Sequence, residues 1–254
     1  NNFSRFYGIK LGSNSGKEQH CGNGGFLLLT ILDENPKYDF VETSRGTEYV
    51  NINIFSLKEK YRSWTGGGHK IHATNNKAET NHDITLLLGL NYDDYLNKIA
   101  GKTNHNTQKI NRDLLGARGF TSIEEIFYLL NATCEYAVLR NYEILPEQLK
   151  TEEHGDIDII TNDPQNIALL LNALKVQPED YRIHYKTNTL QQEVYFDFRY
   201  LFDNYYCKDW EYNMLKNRKL NEKNIYVLND EDYFYSLIYH AIIHKHRVAK
   251  DYYS

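Results

Sequence analysis

The two aspartates at positions 156 and 158 constrain the fold of this chain more than any other feature. They lie in the run Gly155-Asp156-Ile157-Asp158-Ile159-Ile160, whose alternation of polar and apolar residues predicts a β-strand. Residues i and i+2 of a strand point to the same side, about 7 Å apart. Both carboxylates therefore share one face, and they repel each other unless a cation lies between them. Because hard oxygen ligands suit magnesium, the run predicts a divalent-cation site.

A second alternating segment, Glu193–Tyr200, supplies a third carboxylate. Its apolar residues Val194, Phe196 and Phe198 define one face of a predicted strand, and Asp197 lies on the other face between Tyr195 and Arg199. If this strand neighbours the first, Asp197 completes a metal site with the other two aspartates. Such a site aligns an attacking oxygen with a phosphorus atom and offsets the charge on a leaving pyrophosphate.

Composition narrows the class of protein. The 254 residues allow one large domain or two small ones, and a hydrophobic fraction of 41% suffices for a core. The net charge of −5 lacks the basic excess typical of nucleic-acid binding, so we expect no nucleic-acid partner. No apolar run approaches the roughly 18 residues that span a membrane, and no signal peptide is visible. Three widely spaced cysteines argue against a disulfide framework and favour a reducing, cytoplasmic compartment.

The chain divides by pattern into two parts. We predict an N-terminal α+β domain with a β-leaning character at residues 1–105 and a second domain at residues 106–254, because Gly101–Asn111 is polar and poor in apolar residues. The sequence does not determine the oligomeric state, and the absence of an initial methionine leads us to expect a piece of a longer protein. The elements predicted in the first part are a buried strand at Phe26–Leu32, a strand at Glu48–Phe55, and helices at Ala78–Leu88 and Tyr92–Ile99.

Two histidines of the N-terminal part, His69 and His72, follow the loop Gly66-Gly67-Gly68 and precede a predicted helix. A glycine-rich loop before a helix N-terminus can bind an anion. The alternative is a glycine turn that leads into a capped helix. The sequence leaves both interpretations open.

The second part has a regular pattern that predicts an α+β fold with a small mixed sheet and flanking helices. Asp163 and Pro164 are a typical cap and first residue of a helix. The predicted elements are helices at 122–132, 164–174 and 208–216, strands at 136–139, 156–160, 182–186, 193–200 and 226–228, and a long helix from Asp230 onward.

This part, about residues 118–254, resembles the nucleotidyltransferase superfamily, which has the DNA polymerase β-like fold. The resemblance rests on the run Gly155–Ile160, on Asp197 within Tyr195-Phe196-Asp197-Phe198, and on a late helix with spaced histidines, as in bacterial nucleotidyltransferase-like families. It implies that Asp156, Asp158 and Asp197 are catalytic and bind Mg²⁺ or Mn²⁺. It further implies transfer of a nucleotidyl or related phosphoryl group from a nucleotide to a small acceptor.

The resemblance is incomplete at one turn. The superfamily usually has Gly-Ser before the acidic strand, where backbone N–H groups hold the triphosphate, whereas this chain has Arg140 and Asn141. An arginine can bind phosphate through two hydrogen bonds, so we expect Arg140 and Asn141 to serve instead. The other candidate substrate-binding residues are Gly155, Arg199, His240 and His244.

His240 and His244 lie four residues apart on the predicted late helix, with His246 close by. Histidines at this spacing can bind zinc, but the glutamate of the zinc-protease motif is missing. We expect these histidines to pack against the sheet and line the pocket.

Three functions agree with these features. The first is metal-dependent nucleotidyl or phosphoryl transfer to a sugar, a surface glycan or another small acceptor, in the setting of polysaccharide biosynthesis. The second is a glycosyltransferase whose Asp-x-Asp motif binds a metal and a nucleotide sugar. The third is an inactive nucleotidyltransferase-like fold that serves as a binding module.

Overall fold

The structure is a computed structural model that describes residues 2–12, 15–21, 24–43, 46–100, 107–149, 155–176 and 184–245. It has the predicted α+β class, with helices and a mixed sheet. Contacts divide the chain into an N-terminal unit, Lys10–Gln108, and a C-terminal unit composed of Asn1–Ile9 and Lys109–Ser254. No helix in these ranges has the length and apolar character that a membrane span requires.

The described elements up to residue 100 are mostly helical, so the predicted β-leaning character of this part is wrong. Two of the helices agree with the predicted ones at 78–88 and 92–99, and each is capped by an asparagine side chain, Asn76 or Asn91. The elements are α1 (Asn2–Tyr7), α2 (Gly16–Cys21), β1 (Tyr38–Thr43), β2 (Gly46–Asn51), α3 (Ile52–Trp64), α4 (Lys77–Leu88) and α5 (Tyr92–Ile99).

The two strands predicted for the N-terminal unit were also wrong, one in its bounds and one entirely. The strand predicted at Glu48–Phe55 ends at Asn51, because the Asn51 side chain accepts the N–H of Asn53 and starts α3. The segment Phe26–Leu32 is neither a strand nor buried, and the side chain of Phe26 is 72% exposed. A run of apolar residues is buried only where a second layer packs on it. The described sheet of this unit consists of β1 and β2 alone, so it supplies no such layer.

A buried carboxylate, Asp83, connects two histidines of the N-terminal unit. Asp83 accepts hydrogen bonds from His72 (2.8 Å) and His82 (3.0 Å). Burial acts to raise the pKa of Asp83, but the two imidazoles outweigh it and the net shift is downward. This network gives His72 a structural partner within the unit.

The glycine loop before α4 gives the anion-binding interpretation no further support. Gly66, Gly67 and Gly68 all have positive φ, at 82°, 78° and 74°. At the start of α4, Asn76 accepts the N–H of Glu79, and the Glu79 carboxylate accepts the N–H of Asn75. Two of the donors that an anion would need are therefore already engaged. His69, at the end of the loop, packs edge-to-face against His20.

The C-terminal unit has a seven-stranded sheet of order β5-β6-β7-β4-β3-β9-β8. The β4–β7 and β3–β9 pairs are parallel and the other pairs are antiparallel. Its elements are α6 (Ile123–Thr133), β3 (Tyr136–Val138), β4 (Asp156–Thr161), α7 (Pro164–Leu170), β5 (Leu174–Lys175), β6 (His184–Asn188), β7 (Glu193–Tyr200), α8 (Lys208–Lys216), β8 (Lys219–Leu220), β9 (Tyr226–Val227) and α9 (Asp230–Tyr239), with a 3-10 turn at Tyr142–Ile144 and a π-helix at His240–Lys245.

The predicted bounds of β7 and α8 agree with the structure, and other elements differ at their ends. The helix predicted at 164–174 ends at Leu170, because Asn172 adopts a left-handed conformation and Leu174–Lys175 pairs with β6. The strand predicted at 182–186 is described from His184, where it runs to Asn188, and residues 182 and 183 lie outside the described residues. The late helix is α-helical to Tyr239 and then continues as a π-helix.

Helices cover both faces of this sheet. Ile157 and Ile159 are buried on the face where Phe127 of α6 stacks on Tyr136 of β3. The opposite face carries the aspartates of β4 and also Ile160, which packs in a cluster with residues of α8. The aspartates thus lie beside a packed layer of side chains from α8, and not on a strand that faces solvent.

The first helix belongs to the C-terminal unit, although the prediction placed residues 1–105 together. Arg5 is buried and donates to the carbonyl oxygens of Leu170 (2.6 Å) and Leu115 (2.5 Å). Burial lowers the pKa of Arg5 to about 10. These bonds attach α1 to the carbonyl end of α7, where a cation is favoured.

We expect Asp83→Asn to lower the free energy of unfolding by about 1–3 kcal/mol, because an amide offers one acceptor atom to two imidazoles. Urea denaturation measures this change. The downward pKa shift means that the carboxylate stabilises the fold above its ordinary value of 3.8 and that this contribution is lost as the pH falls through the lower folded value. The control Asp93→Asn, at an exposed carboxylate, should change stability by less than about 0.5 kcal/mol. Equal losses in both variants would contradict the role of Asp83.

Candidate active site

The register of β4 and β7 brings the three predicted carboxylates together. The strands are parallel, with Asp158 opposite Asp197 and Asp156 opposite Tyr195. One carboxylate oxygen from each aspartate lies within 4.8 Å of the other two. Asp158 and Asp197 are each only 5% exposed, so the interpretation as solvated residues of an open strand does not fit them. The structure therefore places three negative charges in a largely buried group.

Arg140 faces this group from the end of the adjacent strand. The N–H of Leu139 donates to the carbonyl of Asp158 (2.9 Å), which extends the pairing of β3 with β4 by one residue. The Arg140 guanidinium then donates to Asp158 Oδ1 at 2.5 Å, and both side chains are buried. Burial raises the pKa of Asp158, and Asp156 and Asp197 raise it further, while Arg140 acts in the opposite direction. The net shift is upward, because the cost of burying the charged carboxylate outweighs the effect of the arginine.

Arg199 is the second cation at the group. Its guanidinium lies 3.5 Å from Asp197 Oδ2 and 3.7 Å from Asp203 Oδ2, and it covers the ring of Tyr205 at 4.0 Å. Asp197 Oδ1 and Arg199 Nε are both buried and have no hydrogen-bond partner among the described residues. Such atoms are costly unless a ligand satisfies them, so they mark this place as a candidate binding site.

The two predicted histidines reach the site through Tyr205. The Tyr205 hydroxyl and His240 Nδ1 share a hydrogen bond of 2.6 Å. His244 stacks on the Tyr205 ring, with centroids 3.9 Å apart and planes at 7°, and its Nε2 lies 3.3 Å from the Tyr205 carbonyl. Burial lowers the pKa of His244, and Arg199 and Arg140 lower it further. The prediction had these histidines pack against the sheet, whereas both contact Tyr205, a residue of the loop between β7 and α8.

A zinc site on the late helix gains no support. Within the described ranges, the aspartate trio is the only group of three or more His, Cys, Asp or Glu residues close enough to bind one metal ion. His246, the third histidine considered, lies outside the described residues.

The other predicted substrate-binding residues lie around the ends of the same strands. Asn141 follows Arg140, has φ of 56° and carries a buried Nδ2 that lacks a partner among the described residues. Gly155 directly precedes β4. The turn at residues 140 and 141 thus places a guanidinium and an amide beside the end of β3.

Sequence reasoning missed residues that contact the predicted ones. His184 of β6 lies 3.5 Å from Asp156 Oδ2, and the register of β6 with β7, which sets this approach, cannot be read from the sequence. Tyr205 was missed because it lies in the loop between β7 and α8. The signal available there was Asp203-Asn204 after a strand, a pair typical of tight turns.

Glu211 of α8 holds the loop between β7 and α8 through hydrogen bonds to the loop backbone. It is 1% exposed, and its two oxygens accept the N–H groups of Phe202 (2.6 Å) and Tyr206 (3.1 Å). Phe202 and Asn204 both have positive φ, at 72° and 64°. The carboxylate thus fixes a backbone conformation that these residues rarely adopt, and that conformation places Tyr205 between Arg199 and His244.

Comparisons of this chain with models of protein families, with curated proteins and with solved structures found no match.

We expect Glu211→Gln to lower the free energy of unfolding by about 1–3 kcal/mol, because the amide NH₂ faces a backbone N–H and one hydrogen bond is lost. Burial raises the pKa of Glu211, and Asp203 adds to the rise. The folded protein therefore loses stability as the pH rises from the ordinary value of 4.5 through the raised one, because the buried carboxyl group must then ionise. Urea denaturation at several pH values should show that slope in the wild type and not in the variant. The exposed Glu222→Gln is the control, and the same loss in it would contradict this role.

Proposed function

We propose that the C-terminal unit is a metal-dependent transferase that moves a nucleotidyl or related phosphoryl group from a nucleotide to a small acceptor. The observation that carries the proposal is the convergence of Asp156, Asp158 and Asp197 from two parallel strands. Arg140 and Arg199, the cations beside these carboxylates, add groups that suit phosphate.

The donor set fits Mg²⁺ or Mn²⁺. Ligands of Mg²⁺ lie about 2.1 Å from the ion, so two of them are at most about 4.2 Å apart, and the three carboxylate oxygens, within 4.8 Å of one another, need only a small closure. The unpartnered Asp197 Oδ1 is an acceptor with no other use among the described residues. Asp156, Asp158 and Asp197 would hold the ion, which when bound polarises the phosphate and offsets charge on the leaving pyrophosphate.

The protein's own residues have distinct roles in this proposal. Asp197 is the candidate to accept the proton of the acceptor hydroxyl. Arg140 and the amide of Asn141 replace the missing Gly-Ser turn as phosphate donors. Arg199 is held on the Tyr205 ring and supplies positive charge from the neighbouring strand. The mixed sheet, in which the β4–β7 and β3–β9 pairs are parallel, supports the nucleotidyltransferase-like fold as the framework for these roles.

The acceptor is a sugar, a surface glycan or another small molecule. The setting of polysaccharide biosynthesis in the cytoplasm rests on analogy with proteins of similar domain pattern.

The glycosyltransferase is the second candidate. Its Asp-x-Asp motif also binds a metal and the diphosphate of a nucleotide sugar. A doubly wound sheet of βαβ units is typical of that class, whereas the described sheet has only two parallel strand pairs. The third candidate, an inactive binding module, is favoured by the missing Gly-Ser turn.

Calorimetry and thermal shift with a ligand panel separate the three functions. We expect ATP, CTP, GTP or UTP to bind only with Mg²⁺ or Mn²⁺ and to release pyrophosphate when an acceptor is supplied. Stabilisation by UDP- or GDP-sugars, without an effect of triphosphates, would favour the glycosyltransferase. The absence of any metal-dependent binding would favour the module.

Asp156→Asn should separate metal binding from stability. The metal-free variant should melt at the same temperature as the wild type or higher, because one of three repelling charges is removed. Mn²⁺ should raise the melting temperature of the wild type and not that of the variant. Asp209→Asn, an exposed carboxylate on α8, should keep the Mn²⁺ response. An equal rise of the melting temperature with Mn²⁺ in all three proteins would contradict the metal site.

Asp158→Ala should behave differently, because it leaves the buried Arg140 without its partner. We expect a loss of about 3–5 kcal/mol in the free energy of unfolding. Chemical denaturation measures it, and a loss below about 1 kcal/mol would show that the pair is not buried as the structure has it.

A further inference from the structure

We propose that the late helix, which consists of α9 and the π-helix after it, carries a docking surface for a second copy of this chain. Two copies pair through this surface around a two-fold axis. The inference goes beyond the proposed function, because it concerns assembly and does not depend on the chemistry of the aspartates. The surface is an apolar face composed of Phe234, Tyr235, Ile238, Ile242 and Ile243.

The apolar face is exposed along the length of the late helix. Phe234 is 58% exposed, Ile242 is 59% exposed, and Ile238 between them is 40% exposed. These three residues recur at every fourth position, so they follow one side of the helix. Ser236 and Ala241, by contrast, are buried within the unit. Single exposed apolar residues are ordinary, whereas a contiguous apolar patch marks an interaction site.

An open cavity of about 440 Å³ lies beside this face. A pocket for a small ligand generally has a few polar groups that fix the ligand's orientation, and this lining contains no charged residue. The indole N–H of Trp210 already donates to Asp232. The cavity therefore suits the apolar side chains of another protein surface. Its lining is aromatic or isoleucine throughout: Trp210, Tyr235, Ile238, Tyr239, Ile242 and Ile243.

Opposite charges at the two ends of the late helix favour a second copy as the partner. Glu231 lies in the acidic first turn of α9, Lys245 ends the π-helix, and both are exposed. The neighbours of Glu231, Asp230 and Asp232, already have partners within the chain. Such charges stabilise the helix through its dipole. They also make the face complementary to itself when one copy is turned end for end.

An antiparallel pairing of two late helices matches all of these residues. With the two-fold axis at Ile238, Phe234 of one copy lies opposite Ile242 of the other, because each is four residues from the axis. Glu231 and Lys245 are each seven residues from Ile238, so they meet in the same arrangement. A two-fold interface makes every such contact twice. A second copy has this match in its own sequence, whereas an unrelated partner would have to supply it independently.

Sedimentation velocity of the full chain over a concentration series tests the inference. We expect a monomer–dimer equilibrium in the wild type and a monomer in Ile238→Asp, because this change places two carboxylates at the axis of an apolar interface. The control Leu190→Asp, at an apolar residue 80% exposed in the β6–β7 turn, should dimerise like the wild type. A wild type that stays monomeric at micromolar concentrations, or a folded Ile238→Asp that still dimerises, would overturn the inference.

Glu231→Lys and Lys245→Glu test the orientation of the pairing. Each change replaces two attractive contacts of the dimer with two repulsive ones, so we expect each to weaken dimerisation by about tenfold at low ionic strength. The double variant exchanges the charges and should restore the wild-type dissociation constant. Both positions are exposed, so these variants keep the test decisive if Ile238→Asp does not fold. A double variant that dimerises no more tightly than the single ones would overturn the inference and leave the face for a different protein.

Discussion

The parallel pairing of β4 with β7 is the constraint on which the rest of the site depends. Its register sets Asp158 directly opposite Asp197, and two carboxylates at this position repel each other. The pairing persists because Ile157, Ile159, Phe196 and Phe198 fill the opposite side of the same strands. Burial of the apolar face thus holds β4 and β7 together, although repulsion between the carboxylates on the polar face would separate them. A one-residue shift would turn every side chain to the wrong side.

The two cations at this site come from two strands of the sheet, and a loop residue packs on one of them. Arg140 comes from the end of β3, next to β4 in the sheet, and Arg199 follows Asp197 along β7. Tyr205, from the loop after β7, is clamped between Arg199 and His244. The backbone of this loop is held by Glu211, which accepts the N–H groups of Phe202 and Tyr206.

Much of the C-terminal unit could be predicted because its strands alternate cleanly. Residues 193–200 and 208–216 have the predicted bounds, and the shared face of Asp156 and Asp158 follows from strand geometry alone. The predictions that failed depend on contacts between residues far apart in the sequence. Phe26–Leu32 has the composition of a buried strand and lies exposed, because composition cannot show whether a layer covers it. The contact of Asp156 with His184 of β6 could not be predicted for the same reason, because no local sequence pattern sets the register between distant strands.

The arginine at position 140 links the departure from the superfamily pattern to the chemistry of the site. A Gly-Ser turn offers neutral backbone donors, whereas this turn brings a fixed positive charge into a buried, acidic place. A fixed charge stabilises the carboxylates before any ion arrives, and it lowers the affinity for that ion, because both compete for the same negative potential. A turn that carries Arg140 therefore suits the proposed phosphate chemistry, because a guanidinium pairs with phosphate oxygens.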